Sequence, residues 1–84
     1  HRVGLHFLKN KQKQEVDFLV TVDNNPWFCV EVKKSIERNI SALEYFGAGL
    51  KIPYMYQAVD TRATDLIKNK VRIISIEKFL SGLV

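Results

Sequence analysis

The chain has a single cysteine, Cys29, and no apolar run close to the roughly 20 residues that a membrane-spanning helix needs. One cysteine excludes an intrachain disulfide. Its place in the apolar segment Trp27-Phe28-Cys29-Val30 predicts a buried free thiol, which is typical of a reducing cytosol. The opening His1-Arg2-Val3-Gly4 is strand-like, unlike a signal peptide, and it begins in mid-pattern without Met. We therefore expect a soluble, cytoplasmic fragment of a longer protein, with no membrane partner.

Size and composition limit the chain to one ordinary folded domain. With 84 residues it holds one domain at most, which we assign to residues 1–84, because much smaller cores rarely fold alone. Hydrophobic residues make up 46% and charged residues 26%, which excludes intrinsically disordered, collagen-like and coiled-coil proteins.

Basic residues are concentrated near the N-terminus. Thirteen Lys and Arg against nine Asp and Glu give a net charge of +4. The four basic residues that precede the first acid are Arg2, Lys9, Lys11 and Lys13. The three lysines, together with Lys34 further along, are candidates for contacts with DNA or RNA phosphates. The alternative is that the lysines at the tip of this hairpin contact only water.

Alternation predicts two antiparallel strands at the start of the chain. Apolar residues alternate over residues 3–7 and again over 16–22, with a polar stretch between them. Asp23-Asn24-Asn25-Pro26 predicts a turn, since Asn and Asp tolerate left-handed dihedral angles and Pro fixes φ. A third strand over residues 27–33 begins apolar on both faces, which indicates a central strand.

A helix then connects this strand to a fourth. Ser41-Ala42-Leu43-Glu44 has the form of a capping box, and Gly47 and Gly49 supply a stop, so we predict a helix over residues 41–48. The strand over residues 54–59 should pair parallel with the third one, because the helix forms a crossover.

The end of the chain predicts one more strand and a final helix. Residues 60–70 read as a loop, with one helical turn at residues 65–68, and residues 71–74 as a fifth strand. Ser75 should cap the last helix. Its apolar residues at helical spacing are Ile76, Phe79, Leu80 and Leu83. The predicted fold class is α/β with a mixed sheet, in the order β-β-β-α-β-β-α.

Three charged residues, Asp17, Glu31 and Lys33, stand where strand patterning favours apolar ones. Alternation puts Glu31 and Lys33 on one face, about 6 to 7 Å apart along the strand. Antiparallel pairing of the neighbouring strands would bring Asp17 beside Glu31. We therefore expect two acids and a lysine to share one edge of the core.

Two neighbouring carboxylates repel each other, so a cation must neutralise them. Mg²⁺ suits this role, because it prefers oxygen ligands and is commonly held by one or two carboxylates and a substrate phosphate. A nearby lysine could orient or deprotonate a water, or stabilise charge on phosphorus. The alternative is an ion-pair cluster in which Lys33 neutralises the acids without a metal.

The pattern Asp17 followed by Glu31-Val32-Lys33 resembles the motif of the PD-(D/E)xK, or restriction-endonuclease-like, nuclease superfamily. A wider set of segments resembles the nuclease-like C-terminal domain, of unknown function, of prokaryotic AAA-superfamily ATPases. These segments are Glu15-Val16-Asp17-Phe18, Val30-Glu31-Val32-Lys33-Lys34-Ser35 and Ile74-Ser75-Ile76-Glu77-Lys78-Phe79-Leu80. The resemblance implies a restriction-endonuclease-like core, with Asp17 and Glu31 as metal ligands and Lys33 as the catalytic lysine.

The same resemblance implies an N-terminal ATPase domain, joined by a winged-helix-like linker, as a partner in the same chain. No phosphate-binding Gly-x-x-x-x-Gly-Lys-Ser/Thr motif occurs here, so ATP is expected to bind only to that missing part. The chain also lacks two features of active superfamily members: an acidic residue on a helix before the first strand, and a Gln on the helix after the lysine.

Two functions therefore remain open from the sequence. One is a Mg²⁺-dependent nuclease or nucleic-acid-binding module. The other is a catalytically degenerate domain for interaction or homo-oligomerisation, which an exposed apolar patch around residues 54–56 would favour. The aromatic residues Trp27, Tyr45, Tyr54 and Tyr56 lie in apolar segments and are predicted to pack in or around the core and not to stack on bases.

Overall fold

The structure, a computed structural model, describes residues 1–82. Its elements are β1 (Val3–Lys9), β2 (Glu15–Val22), β3 (Asn25–Lys33), α1 (Ser41–Gly49), β4 (Tyr54–Val59), β5 (Asp65–Lys68), β6 (Val71–Ser75) and α2 (Ile76–Ser81). The strands form one six-stranded sheet in the spatial order β1-β2-β3-β4-β6-β5. Neither helix is long and apolar enough to cross a membrane.

The sheet is mixed, which confirms the predicted α/β class. β1, β2 and β3 form an antiparallel meander, and β3, β4 and β6 run parallel. As predicted, α1 connects two parallel neighbours, β3 and β4. β3 is central, with β2 on one side and β4 on the other.

The connection between β2 and β3 is tighter than predicted. Only Asp23 and Asn24 lie outside the strands, and both have positive φ (51° and 67°), the conformation that matches a two-residue hairpin to the twist of its strands. Asn25 and Pro26, predicted as part of the turn, already belong to β3.

The predicted helical turn at residues 65–68 is wrong, because this segment is the edge strand β5. It pairs antiparallel with β6 through a two-residue hairpin, in which Asn69 and Lys70 have positive φ (48° and 69°). Its two apolar residues, Leu66 and Ile67, are adjacent and both exposed, so no apolar alternation marks the strand in the sequence. Pairing with β6 decides its conformation.

The helix α1 spans Ser41–Gly49, within one residue of the predicted 41–48, but the predicted capping residues are wrong. Ser41 lies inside the helix; Ile40 is the N-cap, with no side-chain hydrogen bond, and Asn39 Oδ1 accepts from the Ser41 N–H at 3.1 Å. At the end of the helix, Lys51 has a positive φ of 53°. The Ile52 N–H donates a hydrogen bond to the Gly47 carbonyl at 3.0 Å. This is the pattern of a Schellman motif with lysine in the left-handed position.

The helix α2 begins as predicted, since the Ser75 hydroxyl accepts from the Lys78 N–H at 3.2 Å. Phe79 packs on the sheet, with its ring centroid 5.1 Å from that of Tyr56. Leu80, predicted on the apolar side, is 54% exposed. Leu83, the fourth residue of the predicted stripe, lies outside the described residues.

Each helix covers one face of the sheet. On the α1 face the core comprises Val16, Leu19, Cys29, Ile40, Leu43, Phe46, Ile52, Val59, Val71 and Ile73. On the other face a smaller cluster of Phe28, Val30 and Ala58 packs with Phe79 and other partly buried residues. The alternating side chains of β1 are an exception, because Val3, Leu5 and Phe7 stay 62 to 77% exposed.

Candidate functional site

Asp17 is placed by an irregularity in β2. His6 pairs with Leu19 and Leu8 pairs with Val16, so β2 has one extra residue against β1 at this point. Such a bulge redirects side chains and bends the strand. It explains why Val16 and Leu19, three residues apart, belong to the same core cluster.

The carboxylate of Asp17 joins β2 to β3 beyond the end of their backbone pairing. The paired register stops at Phe18 opposite Val30, and the Val32 N–H then donates to Asp17 Oδ2 at 2.8 Å. The side chain of Asp17 thus satisfies a strand amide at the point where the two strands separate. It also fixes the carboxylate between the positions of Glu31 and Lys33.

Glu31 and Lys33 form an ion pair on the α1 face of β3. The Lys33 Nζ lies 3.0 Å from Glu31 Oε1, and the Glu31 side chain is 12% exposed against 40% for Lys33. The hydrogen bond and charge of Glu31 raise the pKa of Lys33, with a smaller contribution from Asp17. Lys33 is therefore a cation, suited to stabilising negative charge and not to removing a proton.

The three predicted residues line one cavity of about 510 Å³. It lies at the carboxyl end of β3, where ligands typically bind to sheets with parallel strands. Lys13, from the basic hairpin, and Glu37, from the segment before α1, line the same cavity. Two strands, a hairpin and a connecting segment thus contribute charged groups to one concave surface.

Gln57 on β4 holds the connecting segment in place, and sequence reasoning missed it. It is fully buried and stands beside Glu31 in the parallel register. Its carboxamide accepts from the Glu37 N–H at 2.9 Å and donates to the Glu37 carbonyl at 3.0 Å. The available signal was a polar residue within the apolar strand Tyr54–Val59.

The remaining candidates for phosphate contact are dispersed. The Lys9 Nζ lies 3.4 Å from Glu15 Oε1 in an exposed ion pair. Lys11 is exposed in the turn between β1 and β2. Lys34 is exposed just after β3. Of the four candidate lysines, the cavity beside Asp17 includes only Lys13.

The donor set of the cavity fits Mg²⁺ bound by two carboxylates. Asp17 uses Oδ2 and Glu31 uses Oε1 in the contacts above, and the other oxygen of each accepts no hydrogen bond from residues 1–82. Within the same range, no group of three or more His, Cys, Asp or Glu is arranged to hold a metal ion. Such a site would leave the rest of the ligand shell to water, of which Mg²⁺ usually keeps several molecules.

Cys29 lies near the site but is not part of it. The thiol is fully buried in the α1-face core and unpaired, as predicted. Burial, with a smaller effect of Glu31, raises its pKa to about 12. The thiol is therefore protonated at neutral pH and does not act as a nucleophile.

Comparison with known proteins places the chain in a family. A family model described as a domain of unknown function, DUF4143, matches residues 1–79. No curated protein and no solved structure matches the chain.

Proposed function

We propose that this chain, which belongs to the DUF4143 family of domains of unknown function, is a restriction-endonuclease-like domain that binds Mg²⁺ and cleaves nucleic acid. The observation that supports this most is the shared cavity of Asp17, Glu31 and Lys33, with Lys13 in its wall. Two carboxylates that can hold Mg²⁺ and a lysine that can stabilise charge on phosphate are suited to cleavage of a phosphodiester.

Each residue has a distinct role in this proposal. Asp17 and Glu31 would each hold the metal through one carboxylate oxygen, while their second oxygens keep the contacts with the Val32 N–H and Lys33. Bound Mg²⁺ would neutralise the acids and polarise a phosphate oxygen. Lys33, positioned by Glu31, stabilises the charge that develops on the phosphate. Lys13 contacts a flanking phosphate.

The element order supports the proposed fold family. An antiparallel meander, a crossover helix and a parallel strand follow one another, with the acids on the second and third strands. By the resemblance of its sequence, the domain would follow an AAA-type ATPase module in a longer protein. ATP would then bind to that module, and this chain would act on nucleic acid.

A cleavage assay with matched variants tests the enzyme proposal. The chain is incubated with labelled single-stranded and duplex DNA and RNA, with Mg²⁺ or with EDTA. We expect cleavage only with Mg²⁺, and a loss of about 100-fold in Asp17→Asn and in Lys33→Gln. Asn keeps an oxygen for the Val32 N–H, so this variant removes the charge without removing the structural bond.

Lys51→Gln is the control, since Lys51 lies at the end of α1 and outside the cavity. It should cleave like the unmodified chain. Cleavage by Asp17→Asn and Lys33→Gln at the rate of the unmodified chain, or no cleavage of any substrate with Mg²⁺, would reject the nuclease.

A second candidate, an interaction module, is favoured by the exposed row on β1. This edge strand presents Val3, Leu5 and Phe7 to solvent, and exposed apolar edge strands tend to pair with other strands. The apolar patch expected around residues 54–56 is smaller than the row on β1, because Met55 packs against the core and only Tyr54 of these three residues is largely exposed.

Light scattering over a range of concentrations tests self-association through β1. We expect the average mass to rise with concentration, and Phe7→Lys to abolish the rise. Ile67→Lys, on the opposite edge strand, is the matched control, since Ile67 is 73% exposed and Phe7 77%. A constant monomer mass would reject self-association.

A further inference from the structure

A second cavity, of about 500 Å³, lies on the α2 face of the sheet. It shares no residue with the cavity of Asp17. Side chains alternate between the two faces, so Cys29 and Glu31 face α1 whereas Phe28 and Tyr56 line this second cavity. The second cavity also lies at the amino ends of β3 and β4, and the first at the carboxyl end of β3.

A bulge in β3 turns Trp27 into this cavity. Thr21 pairs with Pro26 and Val20 with Phe28, which leaves Trp27 unpaired as an extra residue. Without the bulge, alternation would direct Trp27 away from Phe28 to the α1 face. Its ring packs instead edge-on against Phe28, with centroids 5.0 Å apart and planes at 82°.

The floor of the cavity is an aromatic cluster and its rim is exposed. Phe28, Tyr56 and Phe79 contact one another edge-to-face, with centroids 5.1 to 6.1 Å apart. Above them Trp27 remains 46% exposed and Tyr54 55%. These two residues, predicted as core or rim packing, therefore keep accessible ring surface beside the cavity.

The wall of the cavity carries excess positive charge. Arg72 donates two hydrogen bonds to Asp65 at 2.8 Å each, and Lys78 donates a third to the same carboxylate at 2.7 Å. Arg72 and Lys78 line the cavity and Asp65 does not. Two cations share one carboxylate, which leaves a net charge of +1 on these three residues beside the aromatic rim.

We propose that this cavity binds a nucleotide unit, with the base stacked on Trp27 and Tyr54 and the phosphate held by Arg72 and Lys78. Aromatic rings stack on bases of any sequence, and positive charge complements the phosphate. The site needs no metal and none of the residues of the Asp17 cavity. Its ligand is either a free mononucleotide or one nucleotide of a single strand.

Trp27 is the only tryptophan of the chain, so its fluorescence reports on this cavity. The chain is titrated, in EDTA to exclude metal-dependent binding, with adenosine monophosphate and with a short oligodeoxyadenylate. Equal affinities would assign the site to a free nucleotide. At least tenfold tighter binding of the oligonucleotide would assign it to a strand. No saturable change with either would overturn the proposal.

Two exposed tyrosines provide the matched variants. Tyr54→Ala should weaken binding about tenfold through loss of one stacking contact. Tyr45→Ala should leave it unchanged, because Tyr45 is equally exposed, at 55%, but lies on α1 at the other face. Lys78→Gln should weaken binding and reduce its salt dependence. Equal effects of the two tyrosine substitutions, with circular dichroism unchanged in both, would contradict the assignment.

Discussion

Replacing Gln57 with leucine tests how the sheet holds residues 34–40 beside the cavity of Asp17. Gln57 is fully buried, and its carboxamide makes both of its hydrogen bonds to the backbone of Glu37. Leucine has a similar size, so the substitution removes the two bonds without opening a large void. It therefore isolates the polar contribution of this residue.

The expected cost is about 2 kcal/mol, since each intramolecular hydrogen bond contributes a net of about 1 kcal/mol. The backbone groups of Glu37 can turn to water, because that residue lies in an exposed segment, so the full penalty of burying unpaired groups does not apply. For a domain of this size, each kcal/mol lowers the melting temperature by about 4 to 8 °C. We expect a decrease of about 8 to 16 °C.

Thermal unfolding followed by circular dichroism measures the decrease, with Gln12→Leu as the control. Gln12 is exposed in the β1–β2 turn, so its substitution should change the melting temperature little. Hydrogen exchange should show that the Glu37 amide loses protection only in Gln57→Leu. An unchanged melting temperature with an unchanged exchange rate at Glu37 would refute the reasoning.

Three further predictions concern stability and reactivity. Gly47→Ala should destabilise the chain by about 1 to 3 kcal/mol in urea unfolding, because the added methyl meets the sulfur of Met55. Gly49→Ala, which meets no atom within 4 Å, should stabilise it by up to about 1 kcal/mol; equal effects would contradict this packing. Iodoacetamide at pH 8 should spare Cys29 in the folded chain and label it in urea, and labelling of the folded thiol at the unfolded rate would show that it is not buried. Hydrogen bonds from Arg72 and Lys78 hold the pKa of Asp65 well below its usual range. The stability that ionised Asp65 contributes is therefore complete above the pKa that this residue has in the unfolded chain. It is lost as the pH falls through the lower pKa of Asp65 in the folded chain. The difference in melting temperature between the chain and Asp65→Asn should therefore shrink below about pH 4, and a difference that stays constant in acid would argue against these bonds.

The strands that could be predicted are those with an apolar pattern. Alternation marked β1 and β2, and the apolar runs of β3, β4 and β6 marked the central strands, because burial there depends on the side chains themselves. β5 could not be found, since its adjacent Leu66 and Ile67 do not alternate with polar residues and its conformation depends on pairing with β6. Propensity favours Ser41 and the glycines as the capping residues of α1. In the structure, Asn39 accepts a hydrogen bond at the start of the helix and Lys51 takes the left-handed position at its end.

Side-chain placement followed from alternation only where the strands are regular. Glu31 and Lys33 lie on one side of β3, as a period of two requires. The positions of Asp17 and Trp27 both depend on bulges, which are defined by pairing register and leave no mark in a single sequence. The role of Gln57 likewise depends on a contact with a segment 20 residues away.

Anomalous diffraction from crystals soaked in Mn²⁺, a substitute for Mg²⁺, tests the proposed metal site most directly. We predict a peak between the free carboxylate oxygens of Asp17 and Glu31, and no peak at that position in Asp17→Asn crystals. A map without this peak, in which Glu31 is still bound only to Lys33, would contradict the proposed metal site and leave an ion pair in its place.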